Sequence, residues 1–240
     1  MACVFDIHSE RAMFRKPYTT TSSVSYPFPP PTAVAGIVSA ILGFANKSNE
    51  IIGNAAYWEK MAGTQIAIKI NKTVKWDTQT VNFLTTKPSQ TGRVQIKHHY
   101  IKKPSYRIYL RGELEETLCH SLKKQQYTYT PYLGVAYALA NITFIGQFPE
   151  KPFTTTTVDT IFPITDPEEP LEPDMTKNNS LNKTEIPFEF TPERNLKKVL
   201  DTLYKNTAIP IHFKTPPKNI HLINDESVKF FPAWKSKTDK

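Results

Sequence analysis

The order of periodic segments predicts an α+β fold of the split βαβ, ferredoxin-like type, shared with RNA-recognition domains. Three observations lead there. Two helix-period apolar stripes each lie between segments that alternate like strands. Stripped of one long insertion, the order is strand–helix–strand–strand–helix–strand. That insertion, residues 72–104, reads as a protruding basic hairpin, and a change of composition near residue 150 marks a C-terminal extension. A chain of 240 residues with 39% apolar content fits one enlarged domain.

Residues 3–9 alternate Cys3, Phe5 and Ile7 against Val4, Asp6 and His8, and residues 11–18 continue extended. Residues 26–43 read YPFPPPTAVAGIVSAILG. Four prolines hold an extended approach, because each fixes φ and biases the preceding residue away from helix. Thr32 is the expected N-cap. At 100° per residue Val34, Ile37, Val38, Ile41 and Leu42 share one face. Ala35, Gly36, Ser39, Ala40 and Gly43 form the back, where a solvent face would carry Lys, Glu or Gln. Close packing by another segment or a partner is the expectation there.

Residues 50–61 suggest a second short helix, and residues 65–71 a strand with Ile66, Ile68 and Ile70 on one side. Residues 73–86 and 93–101 read as paired strands, with Pro88, Ser89, Gln90 and Gly92 marking the turn. Residues 106–111 oppose Tyr106, Ile108 and Leu110 to Arg107, Tyr109 and Arg111. Residues 113–126 form a helix striped by Leu114, Leu118, Cys119 and Leu122, with acids in its first turn and lysines in its last. Residues 131–148 end in a strand with Ile142, Phe144 and Phe148 on one side.

Beyond residue 150, residues 166–174 and 176–184 read as solvated loops, the first acidic and proline-rich. Asp166, Glu168, Glu169, Glu172 and Asp174 lack the turn glycine of a calcium loop, so no metal is expected there. Residues 191–206 suggest a helix carrying Leu196, Val199, Leu200 and Leu203. The tail, with Phe230, Phe231 and Trp234, is expected to dock back or meet a partner.

Charge is unevenly placed. Residues 1–150 hold 17 Lys+Arg against 9 Asp+Glu, whereas residues 151–240 hold 13 of each. Residues 69–111 contain ten basic residues and one acid, Asp77. Such concentration is the footprint of a polyanion-binding surface. Two unclustered cysteines, Cys3 and Cys119, suggest reduced, buried thiols in a cytoplasmic protein. No segment is long and apolar enough to suggest a membrane partner. Phosphate loops, zinc spacings and nucleophile elbows are absent, so no cofactor or metal is expected.

The run FRKPYTTTSSVSYPFPPPTAVAGIVSAILGF, residues 14–44, closely resembles the N-terminal signature of CRISPR-associated Cas family five, the RAMP-superfamily subunits of type I Cascade complexes. The run TPYLGVAYALANITFIG, residues 130–146, resembles a second stretch of that family. The type I-B branch is the most similar. The resemblance implies a RAMP domain whose protruding hairpin acts as a thumb. It also implies a non-catalytic role: capping the 5′ handle of the guide RNA beside the backbone and large subunits, with target DNA met through the complex.

Single-stranded RNA is held by cations along its phosphates and rings under its bases. Arg107, Tyr109 and Arg111 offer both on one strand face, and Arg15, Lys16, Tyr18 and Tyr26 offer both near the first strand. Arg93, Lys97, His98, Lys102 and Lys103 line the basic hairpin. A structural alternative stands beside several: sheet packing for Tyr109, bracing of the proline loop for Tyr26, and solvation for Lys102 and Lys103. One branch of the family, in type I-C systems, cleaves precursor guide RNA without a metal. Lys97, His98, His99 and Tyr100 raise that alternative, although neighbours on a strand point to opposite faces.

Overall fold

The computed structural model describes residues 1–19, 22–45, 57–84, 92–166, 170–191 and 193–235, with Tyr57 by its backbone alone. The principal elements are β1 (Ala2–His8), α1 (Pro31–Leu42), β2 (Gln65–Ile70), β3 (Lys75–Leu84), β4 (Arg93–Lys102), β5 (Ser105–Arg111), α2 (Glu115–Lys123), β6 (Asn141–Phe148), β7 (Leu181–Phe190), β8 (Leu196–Lys205), β9 (Ile220–Ile223) and β10 (Glu226–Lys229). Strands β6, β1, β5 and β2 lie side by side in that order, and every neighbouring pair is antiparallel. Helix α1 joins β1 to β2 and α2 joins β5 to β6, so the split βαβ order predicted from the sequence is the one formed.

Each strand of this sheet presents apolar residues to two layers. Cys3, Phe5, Ile7, Ile66, Ile68, Tyr106, Ile108 and Leu110 meet the helices, while Ala2, Val4, Ala67 and Tyr109 meet β9 and β10 on the other side. Both cysteines are free and buried, as expected. A bulge between Val4 and Phe5 skips Ile145 in the pairing with β6. Ile142 and Phe144 therefore pack on the helical side but Phe148 packs on the other, which corrects the single-face reading of that strand.

Helix α1 starts at Pro31, whose missing N–H costs nothing in the first turn; no side chain caps it, so Thr32 lies inside the helix and is not its cap. Val34, Ile37, Val38 and Ile41 are buried as the stripe predicts, and so are Ala35 and Ser39 from the back. The close approach comes at the C-terminal end: a Cβ on Gly43, where φ is +78°, would stand 2.7 Å from Thr128 Oγ1. A Cβ on Gly36 would meet nothing within 4 Å, so tight packing does not extend to that position. Of residues 50–61, Tyr57–Lys60 form a helix and Met61 lies in the turn that follows; residues 50–56 lie outside the described residues.

The extension differs most from expectation. The helix expected over residues 191–206 is instead a strand over Leu196–Lys205: β8 pairs along β7, which packs on α1, and the two place Ile186, Phe188 and Leu200 in the main core. Its leucines have helical spacing, yet Leu196 is 47% exposed while Leu200 and Leu203 are buried. Register shifts at Pro187, Glu189 and Phe190 break the two-residue period that would have marked strands. The loop expected over residues 176–184 ends earlier, since Leu181–Thr184 already belong to β7. Part of the acidic loop, residues 167–169, lies outside the described residues.

The tail docks back. Phe231 N–H donates to the Ile66 carbonyl at 2.8 Å and Gly63 N–H to the Trp234 carbonyl at 3.0 Å, covering the free edge of β2. Trp234 stacks on Phe188 with ring centroids 5.7 Å apart and donates its indole N–H to the Phe188 carbonyl at 3.0 Å. Trp234→Ala should cost about 3–5 kcal/mol, the range for deleting a buried aromatic. A denaturant titration that moves the midpoint by less than a third of that would show that the tail is ornamental to folding.

Candidate nucleic-acid interface

In an RNA-recognition domain the open sheet face stacks bases. Here that face is closed. Glu226 on β10 accepts Arg107 Nη1 at 3.1 Å, Lys69 Nζ at 2.6 Å and the Tyr109 hydroxyl. Arg107 also pairs with Asp6 at 2.8 Å, and that bond, with Glu226, holds the guanidinium charged despite its burial. Tyr109 is wholly buried, and its hydroxyl is pushed up first by burial and then by Glu226. Arg111 bonds Gln65 at 2.9 Å, pairs with Glu150 and lies 4.1 Å over the Phe230 ring. Arg107, Tyr109 and Arg111 are therefore removed from the predicted site: the extension uses their charge and ring as its own docking surface. Tyr26 leaves it too. It is 3% exposed in the main core, where it braces the proline approach and its hydroxyl is pushed up to about 12 by burial.

The other predicted residues gather on and beside the hairpin. Strands β3 and β4 pair without a break from Lys75↔Lys102 to Leu84↔Arg93. Strand β4 also pairs with Arg11–Ala12 and, in parallel, with Ser22–Ser23, which brings those residues alongside the ribbon. The turn expected at Pro88, Ser89 and Gln90 lies outside the described residues. Alternation assigns Lys102, Tyr100, His98 and Val94 to one face of the ribbon and Arg93, Lys97 and His99 to the other. Arg93, Lys97, Lys102 and Lys103 are all exposed. The string Lys97-His98-His99-Tyr100 is thus split between faces, and His99 meets Thr78 Oγ1 at 3.2 Å on its own side.

The His98 face is the richer. His98 Nδ1 lies 3.0 Å from the Tyr100 hydroxyl, which lies 2.5 Å from that of Tyr137. Phe83 packs against His98 at 5.6 Å between ring centroids. Arg11 sits 5.7 Å over the Tyr100 ring, bonds Gln79 at 2.6 Å and pairs with Asp77 at 3.6 Å. Lys16 Nζ lies 5.9 Å from the ring of Tyr18, which is 70% exposed, and 5.2 Å from that of Tyr26. Exposed Arg15 bonds the Thr19 carbonyl at 2.8 Å. His98 is kept neutral by burial and by the charge of Arg15, while burial and the Tyr137 hydroxyl push Tyr100 up to about 12. Cations and partly exposed rings therefore share one surface.

Arg11, Phe83 and Tyr137 are members of this surface that sequence reasoning missed. Tyr100, named from the sequence only for the endoribonuclease alternative, joins them because it stands two residues from His98 on a strand. Tyr137 has no local signal: it arrives from the loop 131–140, held by Met13 N–H on the Leu133 carbonyl at 3.2 Å. Gly134 permits that approach, because a Cβ there would stand 2.1 Å from the Met13 carbonyl oxygen and φ is +83°. Among the described residues no group of three or more His, Cys, Asp or Glu side chains is placed to hold a metal ion.

The family model described as CRISPR-associated protein (Cas_Cas5) matches residues 3–160. The chain belongs to the Cas5 family. It is similar in fold to a chain of a CRISPR RNA-guided surveillance complex, at 10% identity and a TM-score of 0.53, covering 90% of this chain and 91% of that one. It is likewise similar to a CRISPR protein from Archaeoglobus fulgidus, at 13% identity and a TM-score of 0.54, covering 95% and 98%. Comparison with curated proteins gives no match. The Cas5 match takes in the sheet, the ribbon and the loop 131–140, whereas β7–β10 lie beyond it. No described helix is long and apolar enough to cross a membrane.

The closed face makes a pH-dependent contribution to stability. His221 on β9 lies with Nε2 3.3 Å from Arg111 Nη1 and edge-on to Phe230 at 5.8 Å. Burial and Arg111 lower its pKa. A histidine held neutral in the fold and free to protonate when unfolded stabilises fully above its ordinary value of about 6.5, and that contribution is lost as pH falls below it. Denaturant midpoints should therefore drop on acidification from about pH 7.5 to 5.5, and His221→Gln should flatten the drop; an equal drop in the variant would assign it elsewhere.

Proposed function

We propose that this Cas5 family protein is a non-catalytic subunit of a type I Cascade surveillance complex, of the I-B branch, that caps the 5′ handle of the guide RNA. The hairpin β3–β4 serves as the thumb, the protein seats against the backbone and large subunits, and it meets target DNA only through the complex. One observation carries the reading. With the sheet face closed, the exposed basic residues Arg15, Arg93, Lys97, Lys102 and Lys103 concentrate on the ribbon and its flank, beside the exposed rings of Tyr18, Phe83 and Tyr137. Phosphates bind the first set and unstacked bases the second.

About five phosphate contacts imply a log–log salt slope of roughly −3 to −4 for single-stranded RNA. Lys102→Glu with Lys103→Glu should lower affinity across RNA sequences and flatten that slope. A slope near zero in the parent protein would remove the electrostatic basis of the reading.

The ribbon also gives a separable test of assembly. Its base is built into the core through Tyr100 and Ile101, while its outer part is largely exposed. Replacing residues 80–96 with a short glycine-containing turn should leave a folded protein with a cooperative melt that no longer co-purifies with guide RNA and the backbone subunit. Normal assembly by the shortened protein would refute the thumb assignment.

The endoribonuclease alternative keeps one supporting observation, the His98–Tyr100 contact beside Arg15. Incubation with repeat RNA in EDTA decides it: the non-catalytic reading expects uncut RNA, and a cut product would reverse it.

A further inference from the structure

The geometry points to His98 as a proton-linked element of the RNA interface: RNA bound on this face raises the proton affinity of His98, so binding takes up a proton and tightens as pH falls. The inference rests on the functional reading above. His98 occupies the centre of the ribbon's richer face and is 9% exposed. On its own strand Tyr100 contacts it through the hydroxyl at 3.0 Å. On β3, Gln79 stands directly opposite and Phe83 packs against the ring at 5.6 Å. Ser23 is its partner on the other side, and Tyr137 reaches it through Tyr100.

The charged groups around it are mostly cationic. The charge of Arg15 disfavours its protonated form, and Arg11 lies over the neighbouring Tyr100 ring with its charge shared with Asp77. Gln79, Ser23 and Phe83 bring no charge, and burial and the Tyr137 hydroxyl hold the Tyr100 hydroxyl protonated. The free protein therefore disfavours an imidazolium at this position, through burial and through Arg15. A phosphate chain along Arg11 and Arg15 reverses the balance. It neutralises the guanidinium field and adds negative charge in a poorly solvated place, where such interactions are strong. By linkage, whatever raises the proton affinity of His98 on binding RNA must also raise RNA affinity on protonation, by the same factor.

The sign follows from the two protonation states. Affinity is constant above the complex's His98 pKa, rises as pH falls below it, and levels off below the value in the free protein. One proton gives at most about tenfold in Kd per pH unit. His99, on the opposite face and bonded to Thr78, lies outside this cluster.

The test measures Kd for a fluorescent RNA carrying the repeat-derived 5′ end of the guide, from about pH 8 to pH 6 at constant ionic strength, with the full chain. We expect tightening of about three- to tenfold over that range, lost in His98→Gln and kept in His99→Gln. The imidazole resonances of His98, followed by NMR with and without the RNA, give a second readout that needs no variant: the titration midpoint should rise on binding. Binding with the same pH dependence in His98→Gln, or a midpoint unmoved by RNA, overturns the inference and leaves the RNA-binding reading standing. Failure of the parent protein to bind this RNA at any pH overturns both.

Discussion

Much of this structure depends on Glu226. Its carboxylate sits on a short hairpin outside the family-matched segment and accepts from Lys69, Arg107 and Tyr109, three residues of the central sheet. A buried cluster of this kind has little net stabilising value over a well-packed apolar one, but breaking it strands the remaining charges. What it does provide is geometry. Lys69 is tied to both Asp159 and Glu226, and Arg107 to both Asp6 and Glu226, so the β9–β10 hairpin can seat on the sheet in only one register. Ile223, Val228 and Phe230 then fill the apolar ground between those charges.

Closing that face redistributes the electrostatics of the chain. Three of the ten basic residues between positions 69 and 111 are internal partners of the fold: Lys69, Arg107 and Arg111. Their neutralisation draws on Asp159 and Glu226, acids of the segment 151–240 whose net charge is zero, and on Asp6 and Glu150. Exposed positive charge remains on the ribbon and its flank, among others at Arg93, Lys97, Lys102, Lys103 and Arg15. Among the described residues the exposed positive field therefore lies on the ribbon and not on the sheet, although both belong to one basic stretch of sequence.

The sheet was legible because its signals are local. Alternation at Ile66, Ile68 and Ile70, the stripe of α1 and the stripe of α2 each follow from a period that tertiary contacts did not alter. Residues 196–205 misled for the opposite reason: register shifts that skip Phe188 in one strand and Lys197 in the other break the two-residue period and leave a leucine spacing that imitates a helix. Tyr109 and Arg107 misled differently. A strand face of alternating ring and guanidinium has the same sequence whether RNA or a hairpin 117 and 119 residues away covers it. The charge run spans both the sheet and the ribbon, and burial then decides which of its members stay exposed. Tyr137 had no local signal, since its place depends on a loop stitched to Met13.

The ribbon's two halves are built to different standards. Near its base β4 is flanked on both sides, by β3 and by residues 11–12 and 22–23, and Tyr100 and Ile101 are buried. Toward the tip, from Val81 to Leu84, β3 is paired only with β4 among the described residues, and Phe83, Leu84 and Val94 are exposed. An isolated two-stranded hairpin is marginal in water, and exposed apolar side chains at its end add nothing to its stability there. The outer half therefore gains most from whatever covers it, whereas the inner half is held by the fold itself. That division places the groups needing fixed geometry, His98, Tyr100 and Arg11, on the rigid part. It leaves the exposed side chains of Phe83, Leu84 and Val94 on the part that, among the described residues, only the β3–β4 pairing holds.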